Sequence, residues 1–253
     1  MSAGIETRVE SIRGWVASAE RIVVLTGAGI STESGIPDFR GPNGLWTRDP
    51  EAERLSDIRY YIADPEIRRK AWKKRLSNPA WTAQPNAGHL AIVELEKRGQ
   101  LHALVTQNID GLHQKAGNSP ARVIEVHGTM HSVLCWDCGW TGPMLPVLDR
   151  VRGGEDDPAC GACSGILKSA TILFGEGLRP GVMERAMAAA IEADLLIAVG
   201  STLQVYPVAG VVPAAKEAGA RLVIVNADAT PFDRIADAVL HNPIGDTLPL
   251  LVR

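Results

Sequence analysis

Short apolar runs recur along the chain and alternate with segments of helical periodicity. The runs lie at residues 22–26, 103–106, 122–126, 194–199, 221–225 and 237–240. They are rich in Val, Ile and Leu and mostly non-alternating, which is typical of parallel strands covered on both faces. Between them, apolar stripes at i, i+3, i+4 and i+7 predict helices around 9–19, 87–95, 183–191 and 209–218. Alternating strands and helices predict a doubly wound α/β sheet.

Two stretches lack this alternation. Residues 41–84 contain no apolar strand run but include the helical segment Glu66–Leu76, and residues 135–165 contain all four cysteines. Both resemble insertions into the sheet domain. We therefore expect a main domain formed by residues 1–40, 85–130 and 167–253, a helical module at 41–84, and a cysteine-containing unit at 131–166.

A glycine-rich turn follows the first apolar run. Gly27 and Gly29 come directly after residues 22–26, and a strand that leads into a Gly-x-Gly turn is typical of a phosphate-binding helix N-terminus. The ordinary dinucleotide motif would place a third glycine at Thr32, but the next one is Gly35. The acidic strand end expected about 20 residues later is also missing. The turn therefore predicts a dinucleotide site that holds the nicotinamide ribose differently from a dehydrogenase.

Polar residues follow the other predicted strands. The segments are Thr106-Gln107-Asn108-Ile109-Asp110, His127, Gly200-Ser201-Thr202 and Asn226-Ala227-Asp228. Each alone is more often a turn that hydrogen-bonds its own backbone, but together they predict a ligand crevice along the carboxyl edge of the sheet. Asn108 and Asp110 carry groups that could satisfy a nicotinamide carboxamide.

The histidines differ in what their positions suggest. His127 follows a predicted strand, and an ordinary imidazole pKa near 6.5 suits a general base at neutral pH. On position alone, a structural role for His127 is more common than a catalytic one. His89 and His113 lie in helical contexts, where we expect packing or backbone hydrogen bonding.

The four cysteines form two Cys-x-x-Cys pairs, Cys135 with Cys138 and Cys160 with Cys163, separated by 21 residues. This spacing is close to that of a zinc ribbon. Four thiolates complete a tetrahedron and leave no position for water, so the metal would be structural. The alternatives are a pair of redox sites or inert thiols.

The bulk composition argues against several classes of protein. With 253 residues and 45% hydrophobic content, the chain can bury one substantial core and a small appendage. A net charge of −3 with scattered basic residues predicts no nucleic-acid binding. No apolar segment approaches 18 residues, and residues 1–10 lack a signal-like apolar stretch. We therefore expect no membrane partner and a cytoplasmic protein with reduced thiols.

Seven motifs, taken in order, resemble the sirtuin family. They are GAGISTESGIPDFRGPNGLW, TQNIDGLHQKAG, EVHGT, the paired CxxC motifs, FGE at 174–176, GST at 200–202 and VYP at 205–207. The resemblance covers essentially residue 20 to the C-terminus. It implies an NAD-dependent protein lysine deacylase, with a Rossmann-like domain and a smaller unit made of a zinc ribbon and a helical module. Residues 41–84 would then also contribute a cofactor lid.

The resemblance also implies roles for individual residues. His127, Asn108 and Asp110 would be catalytic. The NAD-binding residues would be Gly27, Ala28, Gly29, Ser31, Asp38, Phe39, Arg40, Gln107, Asn108, Ile109, Asp110, Gly200, Ser201, Thr202, Asn226, Ala227 and Asp246. An acyl-lysine protein or peptide would lie against Phe174, Gly175, Glu176, Val205 and Tyr206, and zinc would be held by the four cysteines.

Two departures from the family pattern bear on the substrate. Desuccinylase-type members carry a Tyr-x-x-Arg pair on the helical module, whereas this chain has Trp72 and Arg75. The missing hydroxyl favours acetyl or longer apolar acyl groups. Lys168-Ser169 stands where many relatives have a basic residue and proline, which affects the entrance of the peptide groove.

Other functions remain open from the sequence. One is mono-ADP-ribosyl transfer to a protein, and another is an NAD-hydrolysing or NAD-sensing domain without a peptide substrate. A zinc-ribbon scaffold with a degenerate core is disfavoured because Asn108, Asp110 and His127 are all present.

Overall fold

A computed structural model describes residues 3–38, 41, 44 and 51–253. Its helices are α1 (Ala3–Ser18), α2 (Glu51–Arg54), α3 (Ile58–Ala63), α4 (Pro65–Leu76), α5 (Ala87–Lys97), α6 (Leu112–Ala116), α7 (Met144–Arg152), α8 (Val182–Glu192), α9 (Val211–Glu217) and α10 (Ile244–Leu251). Its strands are β1 (Ile22–Thr26), β2 (Leu101–Thr106), β3 (Val123–Glu125), β4 (Gly128–Cys135), β5 (Thr141–Pro143), β6 (Leu167–Thr171), β7 (Leu195–Val199), β8 (Arg221–Val225) and β9 (Ala238–Leu240). Short 3-10 helices lie at Ala28–Ser34, Pro79–Trp81 and Val208–Gly210.

The main sheet confirms the predicted parallel architecture. Its order is β3-β2-β1-β7-β8-β9, and every neighbouring pair is parallel. Counted among themselves, these strands run 3-2-1-4-5-6, the order of dinucleotide-binding folds. The strand order reverses between β1 and β7, so the crevice expected of such sheets lies beyond the carboxyl ends of these two strands.

Both faces of the sheet are covered, which explains why its strands do not alternate. Ile22 and Val24 pack into one apolar cluster with α1, α5 and α10, while Val23 and Leu25 pack into the other with α8 and α9. Each successive side chain of β1 therefore meets a different helical layer.

Two elements differ from the sequence prediction. Strand β2 begins at Leu101, two residues before the predicted run. The prediction missed Leu101, which is buried, because His102 interrupts the apolar pattern. Helix α10 was not predicted, since it contains Pro249 and its nearly continuous apolar composition hides the helical period. Within the described residues, none of the helices has the length and apolar character needed to cross a bilayer.

A second, antiparallel sheet of order β5-β4-β6 carries the cysteine region. Its core includes Met144 and Leu148 of α7 and also Trp72 of the helical module, which is fully buried. Arg68 of α4 reaches Asp157 at 2.8 Å across the same contact. The two insertions therefore share one core. Strand β4 crosses the predicted domain boundary at 130/131, and β6, which pairs with it, begins at the predicted boundary 166/167. The division of the chain into domains remains a prediction.

The loops after β1 and β7 touch backbone to backbone. The Gly29 amide donates to the Gly200 carbonyl at 2.8 Å, and the Gly27 amide donates to the Val199 carbonyl at 3.0 Å. A Cβ on Gly27 or Gly29 would lie 2.7 Å from Gly200 backbone atoms. Gly200 has φ +60°, and a Cβ there would lie 2.4 Å from the Ile30 nitrogen. These glycines allow two strand ends to meet closely.

We expect Gly200→Ala to destabilise the fold strongly. Gly99→Ala is the matched control, because Gly99 has φ +74° but open space where its Cβ would project. The control isolates left-handed strain, worth about 1–2 kcal/mol, whereas Gly200→Ala adds the collision and should cost about 3 kcal/mol or more. Urea unfolding of both variants measures the difference, and equal losses would contradict the close packing.

Candidate active site

The loops after β1 and β2 are joined by a buried polar cluster. The Ser31 hydroxyl donates to Asp110 Oδ2 at 2.7 Å. Asn108 Nδ2 donates to Ser31 Oγ at 3.2 Å and to the Gly27 carbonyl at 3.1 Å. All three side chains belong to buried residues. The structure therefore brings together the residues predicted to hold a nicotinamide carboxamide.

Hydrogen bonds hold both the carboxylate and the backbone carbonyl of Asp110. Its Oδ1 accepts from the Leu112 amide at 2.9 Å, and its carbonyl lies 2.9 Å from His131 Nε2. A carboxylate fixed by a hydroxyl and an amide keeps one orientation without ligand. The neighbouring Ile109 is half-buried.

His127 is oriented by the loop after β2. Its Nδ1 lies 3.1 Å from the Gln107 carbonyl, which can only accept, so Nδ1 carries the proton and Nε2 has the free lone pair. Burial lowers the pKa of His127, and the bond to the Gln107 carbonyl opposes this shift. The neutral imidazole at neutral pH has the tautomer that a general base needs.

A further bond joins the loops after β2 and β7. Gln107 Nε2 donates to Ser201 Oγ at 2.8 Å, and the same oxygen accepts from the Leu203 amide at 3.2 Å. Thr202 beside it is half-buried. Together with the Ser31 cluster, this bond brings the polar ends of three strands together, as the sequence predicted.

The remaining predicted NAD-binding residues lie further from this centre. Asn226 donates to the Asp228 carbonyl at 2.8 Å and so closes its own turn, next to the exposed Ala227. Asp246 is exposed in the first turn of α10, whose Gly245 amide donates to Glu33.

Residues 28–41 continue the glycine-rich segment. Ala28 opens the 3-10 helix that leads to Ser31. Asp38 Oδ1 accepts from the Gly41 amide at 2.9 Å and closes a turn. The predictions for Phe39 and Arg40 lie outside the described residues.

The two predicted peptide segments differ in exposure. Phe174 is 42% exposed and Tyr206 68% exposed, while Val205 is half-buried. The backbone of Phe174 bonds to Ser56 and Ile58 of the helical module at 2.7 and 3.0 Å. The carboxylate of Glu176 points inward and lies 3.1 Å from Lys168 Nζ, so its side chain is not offered to a peptide.

Beneath the cluster lies a buried network that sequence reasoning did not predict. Thr26 Oγ1 bonds to Thr106 Oγ1 at 2.8 Å and to His113 Nε2 at 3.0 Å. The rings of His113 and His89 are 4.9 Å apart, and among the described atoms neither His113 Nδ1 nor His89 Nε2 has a partner. Burial lowers the pKa of His113 to about 3 and that of His89 to about 4. The sequence feature that could have indicated this network is a threonine at the end of each of two apolar runs.

The four cysteines converge on one point. The Sγ atoms of Cys135 and Cys163 are 3.6 Å apart, those of Cys138 and Cys160 are 3.8 Å apart, and all four lie within 4.8 Å of one another. A zinc tetrahedron with Zn–S bonds of about 2.3 Å has edges of about 3.8 Å, whereas a disulfide bond measures about 2.05 Å. Both short contacts link one Cys-x-x-Cys pair with the other. The donor set therefore fits one shared structural zinc ion better than two separate dithiols.

Fold and site together define an α/β protein of the dinucleotide-binding class with an appended four-cysteine sheet. The profile of the Sir2 family matches residues 27–207. The NAD-dependent protein deacetylase 2 of Streptomyces coelicolor is 53% identical over 92% of this chain and 96% of its own. A structure described as the basis for the mechanism and regulation of Sir2 enzymes is 39% identical, with a TM-score of 0.87 over 98% of this chain and 97% of its own. A Sir2 complex with a p53 peptide and NAD+ is 33% identical, with a TM-score of 0.85 over 95% of each chain. The chain belongs to the Sir2 family, which confirms the resemblance to sirtuins.

We expect the purified protein to contain one zinc ion per chain, and Cys135→Ala to lose it together with the second sheet. Structural zinc supplies folding free energy directly, so removing one thiolate should unfold the region around it. Metal analysis and thermal unfolding measure both effects, with Ser132→Ala on the same strand as the control. An unchanged melting profile in the metal-free variant would contradict a structural zinc site.

The free energy of unfolding should decrease as the pH falls below 6.5. Below that pH the His113 imidazole takes up a proton in the unfolded chain, whereas in the folded chain it stays neutral down to about pH 3. One such proton corresponds to a slope of up to about 1.4 kcal/mol per pH unit. Between pH 6 and 5, wild type should therefore lose about 1 kcal/mol more than His113→Gln, measured by urea unfolding with zinc present. The variant keeps His89 and the cysteines, so acid effects there cancel. Parallel pH profiles would show that His113 is not buried neutral.

Proposed function

We propose that this chain is an NAD-dependent protein lysine deacylase that prefers acetyl-lysine, acting in the cytoplasm. The observation that carries the proposal is the position of His127, whose Nδ1 is bonded to the loop that also holds Asn108 and Asp110. One element thus positions a neutral base and a carboxamide-binding pair. The NAD-dependent deacetylase activity named for the Streptomyces relative and the peptide and NAD+ in the solved Sir2 complex support it.

NAD is consumed in this reaction. Asn108 and Asp110 hold the carboxamide of nicotinamide, and the acyl oxygen of the substrate attacks C1′ of the ribose as the bond to nicotinamide breaks. His127 Nε2 takes a proton from the ribose hydroxyls, and the 2′ oxygen attacks the acyl carbon. The lysine amine leaves the acyl carbon with a proton, and water adds to that carbon as its bond to the oxygen on C1′ breaks. The products are free lysine, nicotinamide and O-acyl-ADP-ribose.

The other strand ends bind the rest of NAD. Gln107 and Ser201 hold the ribose and phosphate region, and Asn226 and Asp246 lie towards the adenosine. The amides of Gly27 and Gly29 already bond to the β7 loop. These glycines therefore contribute by letting the two loops approach, and the pyrophosphate lies against the adjoining turn at Ala28.

The preference for an uncharged acyl group rests on the surroundings of Arg75. Its guanidinium stacks 4.7 Å from the Trp72 ring and 5.3 Å from the Tyr61 ring. The Tyr61 hydroxyl donates to the Leu167 carbonyl at 2.8 Å. The hydroxyl proton of Tyr61 is already used, and the indole N–H of Trp72, which has no partner among the described atoms, belongs to a fully buried side chain. An acyl carboxylate would therefore find an incomplete site.

Incubation with NAD and an acetyl-lysine peptide should yield nicotinamide and O-acetyl-ADP-ribose in equal amounts, measured by chromatography and mass spectrometry. Nicotinamide release that is independent of peptide would instead indicate an NAD hydrolase. Peptide that gains the mass of ADP-ribose would indicate a transferase.

The matched pair of variants for this assay is His127→Ala and His102→Ala. Removing a general base costs about 100-fold or more in rate, while His102 lies at the other end of β2, where its Nε2 is 3.1 Å from a carboxylate oxygen of Glu192. We expect His127→Ala to lose deacylation with nearly unchanged NAD affinity, and His102→Ala to behave as wild type. Full turnover by His127→Ala would exclude it as the base.

A further inference from the structure

Lys168 is a buried cation that the proposed chemistry does not use. Its side chain is 1% exposed. The ammonium lies 3.0 Å from the Ser169 carbonyl, 2.7 Å from the Thr171 carbonyl and 3.1 Å from Glu176 Oε2. An ammonium has three N–H donors, so each donor has an acceptor. A buried charge whose donors all have hydrogen-bond acceptors is held in one position.

Glu176 links the Lys168 ammonium to the backbone of the following segment. Its side chain is 10% exposed, and its Oε2 also accepts from the Leu173 amide at 2.7 Å. The Glu176 amide donates to the Leu173 carbonyl at 3.0 Å. Between them, Gly175 has φ +85°. Ammonium and carboxylate thus close the turn 173–176, the segment that follows β6.

This turn lies between the base and the helical module. Ile172 donates to the His127 carbonyl at 2.8 Å, Phe174 donates to the Ser56 carbonyl at 2.7 Å, and Ile58 donates to the Phe174 carbonyl at 3.0 Å. A shift of the turn would therefore move its exposed Phe174 relative to His127. Phe174 and Gly175 form one of the two segments against which we place the peptide.

A structural need for stability does not explain this ion pair. Replacing a buried ion pair by uncharged side chains is often neutral or stabilising, whereas removing one partner alone leaves an unpaired charge. What the pair supplies here is geometry, since the acceptors of Lys168 lie both on strand β6 and on the turn that follows it.

We propose that Lys168 is a positioning residue for the acyl-lysine peptide, acting through Glu176 and the turn 173–176. The proposal rests on the deacylase function proposed above. It implies that disrupting the pair weakens peptide binding while NAD binding, which depends on the loops after β1, β2 and β7, is retained.

The test compares three variants by steady-state kinetics and backbone hydrogen exchange. Lys168→Met alone would leave the Glu176 carboxylate buried without a cation, so the main variant is Lys168→Met/Glu176→Gln, in which the amide oxygen can still accept from Leu173. Glu176→Gln alone keeps every acceptor in place. The control is Lys216→Met/Asp237→Asn, because Asp237 likewise binds a lysine at 2.6 Å and a backbone amide, that of Leu222, at 2.7 Å. This second pair lies at the amino end of β8.

We expect the Lys168→Met/Glu176→Gln variant to raise KM for an acetyl-lysine peptide about 10-fold while KM for NAD stays within about twofold. Glu176→Gln should raise the peptide KM about threefold, and the Lys216→Met/Asp237→Asn control should change neither value. Exchange of amides 172–176 should accelerate only when Lys168 is replaced.

Three results would overturn the proposal: an unchanged peptide KM, an equal rise in both KM values, or unchanged exchange over 172–176. If the Lys168→Met/Glu176→Gln variant fails to fold, its amide exchange accelerates throughout the chain. In that case, an unchanged peptide KM for Glu176→Gln overturns the proposal as well. Absence of deacylation in wild type would instead refute the proposed function, and the exchange measurement would still test whether Lys168 holds the turn.

Discussion

The contact between the loops after β1 and β7 controls the geometry of the whole sheet edge. Gly27 and Gly29 lie so close to Gly200 that no side chain fits between the two backbones. Two hydrogen bonds then join the loops. Because strand order reverses between these strands, this contact forms the floor of the crevice. The positions of Ser31 and Ser201 follow from it, since each adjoins one of the touching loops.

Polar side chains buried under this floor make the site rigid before any ligand arrives. Asp110 accepts from a hydroxyl and an amide, and Ser201 accepts from Gln107 and Leu203. Each bond joins a loop to a different strand end or fixes a turn. A site whose donors and acceptors are already oriented has less reorganisation to undergo when substrate binds. The Lys168–Glu176 pair extends the same principle to the peptide side of the site.

Much of the fold could be predicted because parallel strands buried on both faces leave a clear sequence pattern. All six predicted runs became strands of the main sheet. The structure corrected the start of β2, where His102 interrupts the run, and added α10, where Pro249 and continuous apolar residues hide the period. The candidate site was predicted mainly as strand-end residues. Residues 174–176 were predicted as a peptide-binding segment, and the structure adds that the Glu176 carboxylate binds Lys168.

The sequence by itself determined the strands of the main sheet, the main helical stripes, the four thiols spaced for one metal ion and the polar residues at the carboxyl edge, because each depends on local composition, period or spacing. Only the tertiary structure decided which of those residues meet. The pairings of Ser31 with Asp110, Gln107 with Ser201 and Lys168 with Glu176 were not predicted, and neither was the bond between Thr26 and His113. The physical reason is that a hydrogen bond between distant residues, or the desolvation of a side chain, depends on which surfaces the fold brings together. The periodicity of a sequence does not specify how far apart two such residues lie in the folded protein.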